Sequence, residues 1–187
     1  MSAKPLNGIL LGVCGSSMAT IAVELVAALR TDFTDRVEVI ATPAGRRFLP
    51  RLGVPVHHDR HWRRKPLHVT VAADADLLVV APATANTLVK ASIGLADNLL
   101  LATLLGSGRP AVFFPAMNLR MWRQPSVQRS VEQLRADGHW VIEPVAATAA
   151  STDRHGDAVG FDTAYFTKRI TEFVPRAGGA TTTEPRT

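Results

Sequence analysis

Short, continuous apolar runs alternate along this chain with stretches of helical periodicity, and that alternation admits few architectures. The runs are Gly8–Cys14, Val37–Pro43, Asp76–Ala83, Ala111–Ala116 and Trp140–Val145. Most are apolar throughout, as strands covered on both faces must be. Between the first two, Ile21, Leu25, Ala28 and Leu29 fall at i, i+4, i+7 and i+8, one helical face. Ser16 or Ser17 is placed to cap that helix. Residues 126–137 put Val127, Val131 and Leu134 on one face and end at Gly138, a helix C-cap. A last helix begins at Asp162 and buries Phe166, Ile170 and Phe173 or Val174. Strand and helix in alternation predict an α/β fold: a single Rossmann-like, doubly wound domain over residues 1–175, with a mostly parallel sheet flanked by helices. A length of 187 residues suits one such domain.

Three stretches interrupt the pattern. Residues 50–68 hold three prolines, four histidines and a basic run, and are read as a loop. Residues 146–160, AATAASTDRHGDAVG, are small and polar over a length that fits a lid or clamp. The tail 176–187 has the composition of disorder. No apolar run reaches the roughly 18–20 residues that span a bilayer, so no membrane partner is expected. Cys14 is the only cysteine, which excludes an internal disulfide or a multi-cysteine metal site and fits a reducing cytoplasm.

The net charge of +5 is concentrated locally, because residues 57–66 (HHDRHWRRKP) carry four Arg/Lys against one Asp. A patch this local fits a local anionic ligand or a mobile basic loop better than a nucleic-acid groove, so no nucleic-acid partner is expected. His57, His58 and His61 in it are read as solvated, with no metal bound.

Parallel α/β sheets bind ligands beyond the carboxyl ends of their strands. After the first strand comes Gly15-Ser16-Ser17, a turn whose hydroxyls and backbone N–H groups can hold a phosphate. It is neither GxGxxG nor a Walker loop, and an ordinary capped turn reads the same way. After the third strand comes Pro82-Ala83-Thr84-Ala85-Asn86-Thr87, and after the fourth Pro115-Ala116-Met117-Asn118-Leu119-Arg120-Met121-Trp122. Each delivers an asparagine, a donor and acceptor together, beside a proline-bounded turn. Such asparagines also serve simply to tie down loops. Cys14 is read as a buried apolar residue and Trp122 as packing.

PATANT at 82–87, with K-x3-G-x2-DNL at 90–99, resembles the PASANT motif and its extension. PAMNLRMW at 115–122 resembles PxMNxxMW. Together they mark the flavin-containing cysteine decarboxylases, and the similarity runs from about Gly8 to Pro144. The resemblance implies a flavin, FMN or FAD, with its phosphate on Gly15, Ser16 and Ser17. Thr42 and Pro43 would lie near the ring or ribityl chain. Ala83, Thr84, Asn86 and Thr87 would contact flavin or a neighbouring subunit. His68, eight residues before Asp76, holds the place of the family's active-site base; Asn118 would bind the substrate carboxylate and Met121 would shape that pocket. In the family's chemistry a cysteine Cα–Cβ–SH unit is oxidised to a thioaldehyde, after which CO2 loss leaves an enethiolate. The family forms homo-oligomers, trimers or dodecamers of four trimers, with flavin at the interface.

Two branches are open by that resemblance. Phosphopantothenoylcysteine decarboxylases of coenzyme A synthesis carry a cysteine in the clamp that re-reduces the enethiol, and bacterial ones are commonly fused to a ligase. Here 146–160 has no cysteine and the chain ends at 187. Both features favour oxidative decarboxylation of the C-terminal cysteine of a ribosomally made precursor peptide, giving an enethiol for an aminovinyl-cysteine ring. The alternatives are a phosphopantothenoylcysteine decarboxylase with an unusual clamp, or a non-catalytic flavin-binding regulatory subunit. A flavin prenyltransferase shares the broader fold, but PxMNxxMW and His68 argue against it.

Overall fold

A computed structural model describes residues 4–62, 66–150 and 152–174. Its elements run β1 (Ile9–Val13), α1 (Ala22–Asp32), β2 (Val37–Ala41), β3 (Val56–His57), α2 (Asp59–Trp62), α3 (Leu67–Ala73), β4 (Leu77–Ala83), α4 (Ala85–Ser92), α5 (Leu99–Ser107), β5 (Ala111–Pro115), β6 (Met117–Asn118), α6 (Leu119–Trp122), α7 (Pro125–Ala136), β7 (Trp140–Val141), β8 (Val145–Thr148), β9 (His155–Gly160) and α8 (Thr163–Thr171). Six strands form one sheet in the order β3-β2-β1-β4-β5-β7, with every pairing parallel. The α/β, doubly wound reading of the sequence holds. Among the described residues no helix is long and apolar enough to cross a membrane.

Why the strands read as continuous apolar runs is plain from their two faces. Ile9, Leu11 and Val13 of β1 pack with Leu25 and Leu29 of α1 and with Phe166 and Ile170 of α8. Leu10 points the other way, into a second core with Ile40, Val80, Phe113, Leu88 of α4, Leu100 and Leu104 of α5, and Leu134 of α7. Successive side chains therefore enter different cores, and neither face can be polar. Asp162 caps α8 by accepting the Tyr165 N–H at 2.7 Å. Gly138, at φ +90°, follows α7 as its sequence position predicts.

Three expectations need correction. Residues 50–68 are not a plain loop: β3 adds an edge strand against Val39 and Ile40, and α2 and the start of α3 follow. His57 is not simply solvated either, since its Nε2 lies 2.7 Å from Glu38 Oε2 and fastens that edge. Arg63, Arg64 and Lys65 of the basic run lie outside the described residues, as does the 176–187 tail. The Trp140–Val145 run, read as one strand, is two. Trp140 and Val141 join the parallel sheet, and Ile142 still donates to Phe113 at 2.9 Å. Pro144 has no N–H to continue the ladder, so the chain turns away and Val145 opens β8 in a second sheet. That sheet is antiparallel, in the order β6-β9-β8, and it docks the 146–160 segment onto the residues after β5.

Candidate active site

The order of the large sheet reverses between β1 and β4, and the crevice beyond their carboxyl ends is where such folds hold ligands. A cavity of about 660 Å³ lies there. Its floor is the turn after β1, where Gly15 meets the turn after β2. A Cβ on Gly15 would stand 2.5 Å from Ala44 Cβ, so only glycine lets the two turns touch without movement. Ser16 caps the helical turn that follows, its Oγ accepting the Met18 N–H at 3.3 Å. The turn after β2 is braced by Thr42, whose Oγ1 accepts the Gly45 N–H at 3.0 Å and donates to Val13 O at 3.4 Å.

One wall comes from the start of α4. Thr84, Asn86 and Thr87 line the cavity, and Asn86 is exposed, with its amide open for a ligand. Thr87 is buried beneath and donates to Cys14 Sγ at 3.1 Å. Burial pushes the Cys14 thiol up to about 11, and the Thr87 hydrogen bond only partly opposes this. Cys14 is therefore a neutral packing residue near neutral pH, as its sequence position implies. Lys90, Asp97 and Asn98 also line the cavity; Lys90 pairs with Asp97, which accepts from Asn98 Nδ2 at 3.0 Å.

The opposite wall is Asn118 and Met121, with the β8–β9 hairpin above them. Asn118 Oδ1 accepts the Arg120 N–H at 2.7 Å and caps α6. With its oxygen so engaged, the amide presents N–H donors outward, the right polarity for a carboxylate. Ala147, Thr148, Ala149, Ala150 and Ala158 of the hairpin complete the lining, so the segment read as a clamp does cover the cavity.

Gly15, Ser16, Ser17, Thr42, Pro43, Thr84, Asn86, Thr87, Asn118 and Met121 thus meet around one cavity. Two candidates do not line it. Ala83 is the fully buried last residue of β4, directly beneath. His68 sits on α3, its Cδ2 3.7 Å from where a Cβ on Gly106 would be, near the far end of α5. Leu99, at the near end of α5, receives the cavity-lining Asp59 as a cap, Oδ1 accepting its N–H at 3.0 Å. Seven residues separate Leu99 from Gly106, about 10 Å of helix. Asp59 was missed because it lies within the basic run, and only its spacing from the helix start it caps, forty residues away, would have revealed it.

The protein-family model described as Flavoprotein matches residues 2–164. The chain belongs to the flavoprotein family. The resemblance of PATANT and PAMNLRMW to the flavin-containing cysteine decarboxylases accordingly holds. Mersacidin decarboxylase of Bacillus sp. (strain HIL-Y85/54728) is 33% identical over 147 residues, 75% of each chain. Phosphopantothenoylcysteine decarboxylase of Mus musculus is 34% identical over 157 residues, covering 78% of this chain and 77% of that one. The solved structure of the FMN-dependent cysteine decarboxylase SpaF superposes with a TM-score of 0.76 at 33% identity, covering 92% of this chain and 98% of that one. Bifunctional coenzyme A biosynthesis proteins also match, but the chain spans only 36% of the length of the one from Mycobacterium bovis (strain ATCC BAA-935 / AF2122/97).

Proposed function

We propose that this flavoprotein binds FMN in the cavity and oxidatively decarboxylates the C-terminal cysteine of a ribosomally made precursor peptide. The residues present suit the flavin. Gly15 permits close approach, Ser16 and Ser17 offer hydroxyls for the phosphate, and Thr42, Pro43, Thr84, Asn86 and Thr87 surround room for a ring and its chain. When bound, the flavin supplies a two-electron acceptor. The protein's own tasks are to orient and protect the cysteine. The outward N–H groups of Asn118 hold the terminal carboxylate, Met121 and the hairpin alanines exclude water, and His68 is the side chain offered to the sulfur.

The observation that carries the peptidyl reading is the thiol count. Cys14 is the chain's only cysteine, and it is buried under the cavity floor rather than on the hairpin. No cysteine of this chain reaches over the cavity to return electrons to an enethiol. The product would therefore leave oxidised, and a bound flavin would need an outside electron acceptor between turnovers. A peptide ending in cysteine, added to the flavin-loaded protein without oxygen, is expected to bleach the flavin absorbance with one equivalent of substrate. A phosphopantothenoylcysteine decarboxylase completes a redox-neutral cycle, so persistent flavin colour during turnover of that substrate would replace this reading with the alternative.

The position of His68 supports a homo-oligomer. Beside it the surface is apolar: Val69 is 53% exposed, Leu105 61% and Ile93 71%, with Gly94 packed against Leu105. Exposed clusters of this kind mark association surfaces. In our reading a second copy covers this face, as in a trimer, and the His68 of one copy serves the cavity of the next.

A further inference from the structure

His68 is held by one specific hydrogen bond. Trp62 Nε1–H donates to His68 Nδ1 at 2.8 Å, and the two rings meet edge to face with centroids 5.6 Å apart. An indole nitrogen only donates, so the Nδ1 facing it must be the unprotonated nitrogen. A neutral imidazole carries one proton, which this contact places on Nε2. Among the described residues Nε2 has no hydrogen-bond partner, leaving that edge of the ring for something outside the described chain. Trp62 is itself anchored, packing with Leu67 against the core beneath the α3–α5 face. The same short helix, α2, carries Asp59, which caps α5 at the cavity.

We propose that Trp62 is a positioning residue that fixes His68 as its Nε2–H tautomer, so that the ring offers a hydrogen-bond donor to the anionic end of the cysteine substrate. This rests on the proposed function only for the identity of that anion; the tautomer itself rests on Trp62 alone. A ring held in this way steadies a thiolate or carboxylate on arrival. It accepts a proton only at the Nδ1 position that the indole occupies, so the thiol gives its proton to water and meets His68 as the thiolate. Phenylalanine at position 62 keeps the aromatic packing and loses the donor.

The test is 15N NMR of the flavin-loaded protein, sedimented for magic-angle spinning and labelled at histidine, with the His68 signals assigned from a His68→Gln variant. The expected spectrum shows an unprotonated Nδ1 and a protonated Nε2 on His68. In Trp62→Phe the two nitrogens are expected to average between tautomers, and kcat for a cysteine-ended peptide to fall on the order of tenfold with KM and flavin content unchanged. A protonated Nδ1 in the wild-type protein overturns the proposal. So does a Trp62→Phe protein with unaltered His68 signals and unaltered kcat. If Trp62→Phe does not fold, the wild-type spectrum alone decides. If no cysteine-ended peptide is turned over, the proposed function fails while the tautomer is still read directly.

Discussion

His68→Asn is expected to lower decarboxylation of a cysteine-ended peptide by about a thousandfold while leaving flavin content unchanged, since a donor aimed at the reacting charge contributes on the order of 10²–10³. The separation of the two effects follows from position. Ser16, Asn86 and the other candidate flavin contacts line the cavity, and His68 stands about two turns of α5 away from it. Losing the imidazole removes nothing from the cavity's own wall. Absorbance of the purified variant reports the flavin, and peptide mass spectrometry reports the turnover. A His68→Asn protein with near wild-type turnover would remove His68 from the chemistry.

The second large effect uses that same separation. Asn118→Asp keeps an oxygen to accept the Arg120 N–H, so α6 remains capped. It replaces the outward N–H donors with a negative charge facing the substrate carboxylate. Like charges held close cost several kcal/mol in such sites, so kcat/KM is expected to fall by at least about a hundredfold. Asn118→Asp and His68→Asn proteins are then each inactive alone. If His68 acts across an interface, a mixed assembly contains cavities with intact Asn118 from one variant and intact His68 from the other. At equal, random mixing about one site in four is whole, and activity is expected to return to roughly a quarter of wild type. Co-expression of the two variants, with each alone as control, measures this. Mixed assemblies as inactive as their parents would mean that His68 and Asn118 must come from one chain.

Much of this site was legible in the sequence because strand ends are. PATANT and PAMNLRMW follow β4 and β5, and a parallel sheet delivers whatever follows its strands to one edge. The helices on that sheet were less legible where amphipathicity is absent. Leu99 to Leu104 are all buried, so α5 has no polar face for periodicity to detect. The basic, proline-rich stretch concealed β3 because two paired residues and one His57–Glu38 contact suffice to hold an edge strand. The motif position singles out His68 without saying which cavity the residue stands near. Sequence order carries no information about a second copy, and the exposed Leu105 and Ile93 beside it became visible as one face only in three dimensions. The contact of Trp62 with His68 was hidden for a similar reason. Its partner lies six residues on, and nothing in the composition of the stretch gave reason to expect the contact.

The mass of the product separates the oxidative from the redox-neutral reaction. Short peptides with a free C-terminal cysteine, and phosphopantothenoylcysteine in parallel, are incubated in air with the flavin-loaded protein. The peptides alone are expected to react, losing about 46 Da, the mass of CO2 together with two hydrogens. Turnover of phosphopantothenoylcysteine alone, with loss of CO2 and both hydrogens retained, would contradict that expectation and assign the protein to the redox-neutral reaction.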